Sequence, residues 1–397
     1  MYPNRTAPNY GNFIRDQTRS LALAGCDIKV IAPVPYAPRL LRLKAKWKNY
    51  GKIPYKDTID DLTVLYPRFF HLPGQWFHSY SCYTIYYGLN GWISRISERE
   101  RPDVLHAHTA TTDGYVSLLL GRKLKIPVVC SLRGSDINVY PFRDRRTMNF
   151  TKKVLSEADQ IISVSHSLKK AADSFLKPKR EIQVIYNGCD TDLFQFNGQD
   201  RFETRKKLGI PVNAKVMIFV GRFLKSKGVY ELANSFIGLG IKNPKLHLIY
   251  IGSGLDYEKL TGDYFSAPLK KRVHLTGEIP HSQICKWLSC ADLFVLPSYY
   301  EGLPNSILEA MACKLPIIAT RTGGIPEAVE EGNTGMLIDL ERDNLDRAIS
   351  CLLKNESLAR QMGENGRKRV EGEFSWRRNA EKTIGVYQQL HGKTHLN

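Results

Sequence analysis

Residues 300–311 read Tyr300-Glu301-Gly302-Leu303-Pro304-Asn305-Ser306-Ile307-Leu308-Glu309-Ala310-Met311, shortly after the apolar run Leu293-Phe294-Val295-Leu296. An apolar run, a Gly/Pro turn and a helical pattern predict strand, loop and helix, with Pro304 suited to the first helical position. Backbone amides at such a helix start point beyond the carboxyl end of the strand and favour anions, phosphate above all. Glu309 falls just over one turn into the helix, where a carboxylate can accept a pair of hydroxyls. Glu301 precedes the turn. An acid near a helix start also complements the helix dipole, so the motif alone does not decide.

Three more turns of the same kind lie nearby. Val220-Gly221-Arg222-Phe223-Leu224-Lys225-Ser226-Lys227-Gly228 places cations directly after an apolar strand. Arg222 can grip a diphosphate bidentately, and Lys227 adds a point charge from the next helix start. A solvated basic loop is the plain alternative in a chain with 57 Lys and Arg. Ile251-Gly252-Ser253-Gly254 and Gly323-Gly324-Ile325-Pro326-Glu327 also follow strands. Each glycine pattern is weak by itself. Four at strand carboxyl ends of one domain, where open α/β sheets bind ligands, are specific.

The strands behind these turns repeat along the chain. The second half carries Val216–Val220, Leu246–Ile251, Val273–Leu275, Leu293–Leu296 and Pro316–Ala319; the first carries Ile28–Ile31, Val104–His106, Pro127–Cys130, Gln160–Val164 and Ile182–Ile185. Continuous apolar strands alternating with helices mean parallel strands covered on both faces. The fold class is α/β, with two Rossmann-like doubly wound domains. The expected division is 1–196, 197–375 and a helix over 376–397 crossing back to the first domain, with a linker near Phe196-Asn197-Gly198-Gln199-Asp200. Met1-Tyr2-Pro3 reads as the turn after a first strand, and Gly11 opens a helix, so a strand of about five or six residues is expected upstream.

With these motifs the chain resembles glycosyltransferase family 4, the retaining group with the GT-B fold. The signature Glu, seven residues, Glu is met by Glu301 and Glu309. Gly221, Arg222, Lys227 and Gly228 form its basic loop, and Gly323-Gly324-x-x-Glu327 its glycine turn. In the first half, His106 and His108, Gly134-Ser135-Asp136 and Asn187-Gly188-Cys189-Asp190 match as well. The resemblance implies two domains facing across a cleft. It implies a nucleoside-diphosphate sugar donor, UDP- or GDP-linked, with no further cofactor.

By that resemblance, Arg222 and Lys227 neutralise the diphosphate and Glu309 holds the ribose. Glu301 contacts donor-sugar hydroxyls, the backbone near Gly277-Glu278-Ile279 meets the base, and His108 approaches the sugar from the other domain. Gly11, Gly221, Gly252, Gly302 and Leu303 complete the donor set. Arg133, which stands where many relatives have His, joins Asp136 and Asn187 on the acceptor side. The catalytic set is then Glu301, His108, Arg222 and Lys227. A histidine satisfied at a strand end is the plain alternative for His108.

Charge development gives the mechanism. Breaking the anomeric bond leaves an oxocarbenium-like sugar and a diphosphate gaining negative charge, which Arg222, Lys227 and helix N-termini are placed to stabilise. In the family, retention is attributed to attack from the leaving-group face, with the phosphate taking the acceptor proton. Asp190-Thr191-Asp192 is a DxD, but it lies in a turn far from the donor motifs, where a turn role is expected. No metal requirement is expected.

Net charge is +18 over 397 residues, divided +12 and +6 between residues 1–199 and 200–397. Such a balance points to acidic partners without naming one. Residues 39–52 interleave six cations with Leu, Trp and Tyr, the composition of a segment on an anionic membrane surface or of a solvated basic loop. The acceptor is expected to be a glycan or lipid-linked, in cell-surface polysaccharide synthesis. No apolar stretch reaches the ~18 residues of a membrane span. The eight cysteines lack paired spacing and read as reduced thiols of a cytoplasmic protein, peripheral to the inner face of the membrane if residues 39–52 dock. Three rivals remain: a basic nucleic-acid-binding protein, which lacks a recognition motif, a dinucleotide oxidoreductase, which lacks G-x-G-x-x-G in context, and a GT-B epimerase or phosphorylase.

Overall fold

The computed structural model describes residues 1–394 apart from 37, 39–44, 72–79, 94, 95, 98, 99, 177, 179 and 341. The chain forms two compact units, Met1–Tyr186 with Trp376–Asn397, and Asn187–Ser375.

The first unit opens with the helix Asn12–Leu23. Its strands are β1 (Lys29–Ile31), β2 (Val34–Pro35), β3 (Lys56–Ile59), β4 (Leu62–Leu65), β5 (Arg68–Phe69), β6 (Leu105–His108), β7 (Val128–Leu132), β8 (Gln160–Ser163) and β9 (Gln183–Val184). Strands β6-β7-β8-β9 form one parallel sheet. Every residue of β7 and β8 is buried, as double coverage requires. The rest differs from a single parallel sheet. Strand β1 pairs parallel with β4, which folds back antiparallel on β3, while β2 and β5 pair separately. The β3–β4 turn uses Asp60 and Asp61 at φ 50° and 62°, a left-handed pair that aspartate tolerates better than most residues.

The helix Trp376–Thr394 completes this unit. Its Val386 and Leu390 join Val129, Ile162 and Ile185 in one buried cluster. Ser20 Oγ donates to the Trp376 carbonyl at 2.9 Å.

Of the basic segment 39–52, residues 39–44 lie outside the described residues, as do Trp76 and Phe77 of the aromatic stretch. The helix Ala45–Lys52 buries Trp47, whose ring meets Tyr50 edge-on at 6.1 Å. Trp47 is therefore a core residue, correcting its expected place on a membrane-facing surface; Lys48 is exposed.

The second unit carries β10 (Lys215–Val220), β11 (Leu246–Ile251), β12 (Val273–Leu275), β13 (Leu293–Leu296), β14 (Ile317–Thr320) and β15 (Gly335–Ile338). They form one sheet in the order β12-β11-β10-β13-β14-β15, parallel throughout. From β10 the chain first builds one side of the sheet, then returns to β13 and builds the other. The carboxyl ends of β10 and β13 are therefore the topological switch point, where open α/β sheets hold ligands.

The division falls at Tyr186/Asn187, earlier than the 196/197 boundary read from the sequence. Residues 187–196 bond within the second unit: Cys189 N donates to Phe374 O at 2.8 Å, and the Arg367 guanidinium donates to the carbonyls of Phe194 and Thr191. The expected linker starts a helix instead, Gly198–Leu208, with the Asn197 side chain accepting from Gln199 N and Asp200 N. Buried Arg205 on that helix reaches Asp292 at 2.8 Å and the carbonyls of Cys290 and Ala214, tying the helix to the amino-terminal end of β13.

Candidate functional site

The switch point gathers the basic loop and the first signature carboxylate. Lys227 Nζ donates to Glu301 Oε1 at 2.6 Å, and Ser298 Oγ donates to the same oxygen at 2.8 Å. Glu301 is buried, so its charge needs these partners. Arg222 is exposed, and its guanidinium has no hydrogen-bond or ion-pair partner among the described residues.

Glycine backbone makes the approach possible. Gly252 adopts φ 131°, and a Cβ there would stand 2.0 Å from the Gly221 carbonyl oxygen, so the loops after β10 and β11 touch without side chains between them. Gly323, at φ 53°, packs the same way on the Glu301 carbonyl, and Gly324 N donates to Gly302 O at 2.8 Å.

The helix after β13 runs Asn305–Ala312, with Pro304 as its cap rather than its first residue. Leu303 and Gly302 are buried in the preceding turn. Glu309 is buried on this helix, and its Oε1 lies 2.8 Å from His281 Nε2. His281 begins a short 3-10 turn one residue after Gly277-Glu278-Ile279, with Pro280 between, and the fully buried Phe194 ring sits 5.3 Å from its imidazole. Sequence reasoning missed His281. A lone histidine after a proline carries no spacing signal, and its partner is 28 residues away.

Asn187 was expected on the acceptor side. It is a buried member of the second unit, with Nδ2 donating to Asn305 Oδ1 at 2.8 Å and to Leu303 O at 3.4 Å. It braces the start of the Glu309 helix. Asp190 serves as a turn residue, with Oδ1 accepting from Asp192 N and Leu193 N.

The first unit assembles its own polar group at the carboxyl ends of β6 and β7. The His106 and His108 rings stack at 4.6 Å. His106 Nδ1 meets the Tyr387 hydroxyl at 2.6 Å and Nε2 the Ser131 hydroxyl at 2.8 Å. Arg133 donates to His108 Nδ1 at 2.7 Å and to Gln17 Oε1 at 2.5 Å. Arginine only donates, so His108 Nδ1 is an acceptor and the neutral ring carries its proton on Nε2. Burial, then the Arg133 charge, pushes the His106 pKa down to about 3 and that of His108 well below its usual range. Burial lowers Arg133 itself to about 10.

Asp136 was expected on the acceptor side. Fully buried, it spends both oxygens on backbone: Oδ1 accepts from Arg133 N and Gly134 N, Oδ2 from Ala110 N. It is a brace between two loops. Burial raises its pKa, while the amides pull against that shift. Gly11, at φ 81°, opens the first helix, and a Cβ there would come 3.1 Å from the Met1 carbonyl carbon.

Comparison with known proteins agrees with both halves. Residues 11–193 match the family model Glycosyltransferase Family 4, and residues 200–369 match Glycosyl transferases group 1. TuaC of Bacillus subtilis (strain 168), named for glycosyl transfer in teichuronic acid biosynthesis, is 28% identical over 98% of this chain and 97% of its own. N-acetyl-alpha-D-glucosaminyl L-malate synthase of Bacillus anthracis is 30% identical over 75% and 77%. Among solved structures, sucrose-phosphate synthase from Thermosynechococcus elongatus superposes with a TM-score of 0.79 at 21% identity, covering 98% of this chain and 94% of that one. Anabaena Alr3699/HepE in complex with UDP-glucose superposes at 0.71 and 19% identity, covering 98% and 96%. Together these matches make the chain a member of glycosyltransferase family 4, the group 1 glycosyl transferases, built on the GT-B fold.

Proposed function

We propose that the chain is a retaining, metal-independent transferase that moves a hexosyl group from a nucleoside-diphosphate sugar to a glycan or lipid-linked acceptor of a cell-surface polymer. The observation that carries this reading is the convergence of Lys227, Glu301, the glycine-lined loops and the Asn305–Ala312 helix start at one switch point. The diphosphate lies against Arg222, Lys227 and the helix amides, with UDP or GDP as the nucleotide. Glu309 takes the ribose and Glu301 the sugar hydroxyls. Gly221, Gly252, Gly302 and Leu303 supply close backbone, Ile279 borders the base, and Gly11 lets the first helix approach the phosphates.

The anomeric C–O bond breaks with its electron pair going to the diphosphate. The acceptor oxygen forms the new bond on the same face, and its proton passes to the departing phosphate oxygen. Arg222 and Lys227 act by stabilising the charge that grows on that phosphate. His108, as an Nε2–H donor in the first unit, is the proposed contact to a sugar hydroxyl, and Arg133 orients it. The polymer class follows the name of TuaC. The proposed location is the cytoplasm, where nucleotide sugars are available. Contact with the inner membrane face would rest on Lys48 and its charged neighbours rather than on Trp47.

A thermal-shift panel of UDP, GDP, ADP and CMP on wild type and Glu309→Ala tests the reading. One nucleoside diphosphate should raise Tm in the wild type and much less in the variant. No shift with any of the four would overturn the donor site.

A further inference from the structure

We infer that His281 is a positioning residue for the nucleotide: it holds one oxygen of Glu309 so that the other meets the ribose diol. This rests on the reading of Glu309 as the ribose carboxylate. An ionised carboxylate only accepts hydrogen bonds, and a buried one turns toward whatever donor is nearest. In this site the donor is His281 Nε2, 2.8 Å from Oε1. Oε2 accepts no hydrogen bond among the described residues, which leaves one carboxylate face for a ligand.

The imidazole is itself held. The fully buried Phe194 lies against it, and Pro280 fixes the entry to its 3-10 turn. Phe194 is fixed in turn, since its carbonyl accepts from Arg367, which also donates to Ala312 O at the end of the Glu309 helix. His281, Phe194 and Glu309 therefore belong to one braced group. Through His281, the loop carrying Gly277–Ile279 fixes the carboxylate, so the loop proposed to border the base also orients the group that takes the ribose. Reading of the ribose in this chain depends on a residue outside the Glu301–Glu309 signature.

The test compares ribo- and 2′-deoxynucleotides. Affinities of UDP and dUDP, GDP and dGDP, and ADP and dADP are measured by calorimetry for wild type, Glu309→Ala, His281→Phe and His281→Gln. His281→Phe keeps a ring against Phe194 without the donor; His281→Gln keeps a donor near Nε2. The wild type should prefer the ribonucleotide about tenfold or more, the weight of one lost hydrogen bond to a charged group. Glu309→Ala should erase that preference. His281→Phe should lower it at least threefold, through ribonucleotide affinity alone, and His281→Gln should restore most of it. Equal losses for ribo and deoxy forms in His281→Phe, or an undiminished preference, would overturn the inference. An undiminished preference in Glu309→Ala would overturn the ribose reading itself, and the inference with it.

Discussion

Lys227 and Glu301 hold each other at 2.6 Å, so the cation proposed for the diphosphate and the carboxylate proposed for the sugar are already one ion pair. Removing either therefore disturbs both. Lys227→Met should reduce turnover about 10²–10³-fold, the scale for losing one charge-stabilising donor. Glu301→Gln should lower turnover while leaving free nucleoside-diphosphate affinity within about threefold, because the amide oxygen still accepts from Lys227 and only the charge is lost. Donor turnover and calorimetric binding of the bare nucleotide separate the two effects.

Asn187→Ala removes the brace on Asn305 and Leu303. The helix start becomes less fixed, and nucleotide affinity should fall about fivefold to thirtyfold, equivalent to about 1–2 kcal/mol. Asn187→Ser should be nearly as weak, because the shorter side chain cannot span the gap. Unchanged affinity in both variants would show that the Asn187 brace does not act on the proposed donor site.

Acid should destabilise the fold through buried histidines. His247 lies 3.2 Å from His274 in a stacked pair, and burial, aided by His274, lowers its pKa to about 4. His106 is lowered to about 3. Both are neutral when folded and return to about 6.5 when unfolded. Their contribution to stability is therefore fully present above about pH 6.5. It is lost as pH falls from there toward 4 for His247 and toward 3 for His106. Melting curves at pH 7.5, 6 and 5 should show Tm falling for the wild type and falling less for His247→Gln.

Arg205 is a buried structural cation, unlike the cations proposed for the diphosphate. Arg205→Ala leaves the largely buried Asp292 with Arg201 and the Val216 amide as its remaining partners among the described residues. Loss of hydrogen bonds to a charged group that keeps other partners costs about 1.5–3 kcal/mol. Urea unfolding should show a lower midpoint with unchanged slope, and nucleotide affinity should hold under native conditions.

Much of the second unit was legible because its signals are local. Strands such as Leu246–Ile251 and Leu293–Leu296 are continuous apolar runs ended by glycine or proline, and the register simply follows. What escaped depends on distance. The hairpin at Asp60-Asp61 lacks the Asn-Gly signal that marks most such turns, and its strands are half polar. Asp136 was placed on the acceptor side by resemblance, and nothing near it in the sequence signals the three amides that enclose its carboxylate. His281 and Asn187 act on residues 28 and 118 positions away, which one-dimensional spacing does not reveal.

The return of Trp376–Thr394 to the first unit has a consequence for how the protein is made. The second unit is one uninterrupted segment, complete once Ser375 has been synthesised. The first waits for Val386 and Leu390 to cover Val129, Ile162 and Ile185. On the ribosome, the half begun first is therefore finished last, with Val129, Ile162 and Ile185 uncovered on one side until that helix emerges. Anything that stalls or trims that helix should release a chain whose second unit is native and whose first unit is adhesive.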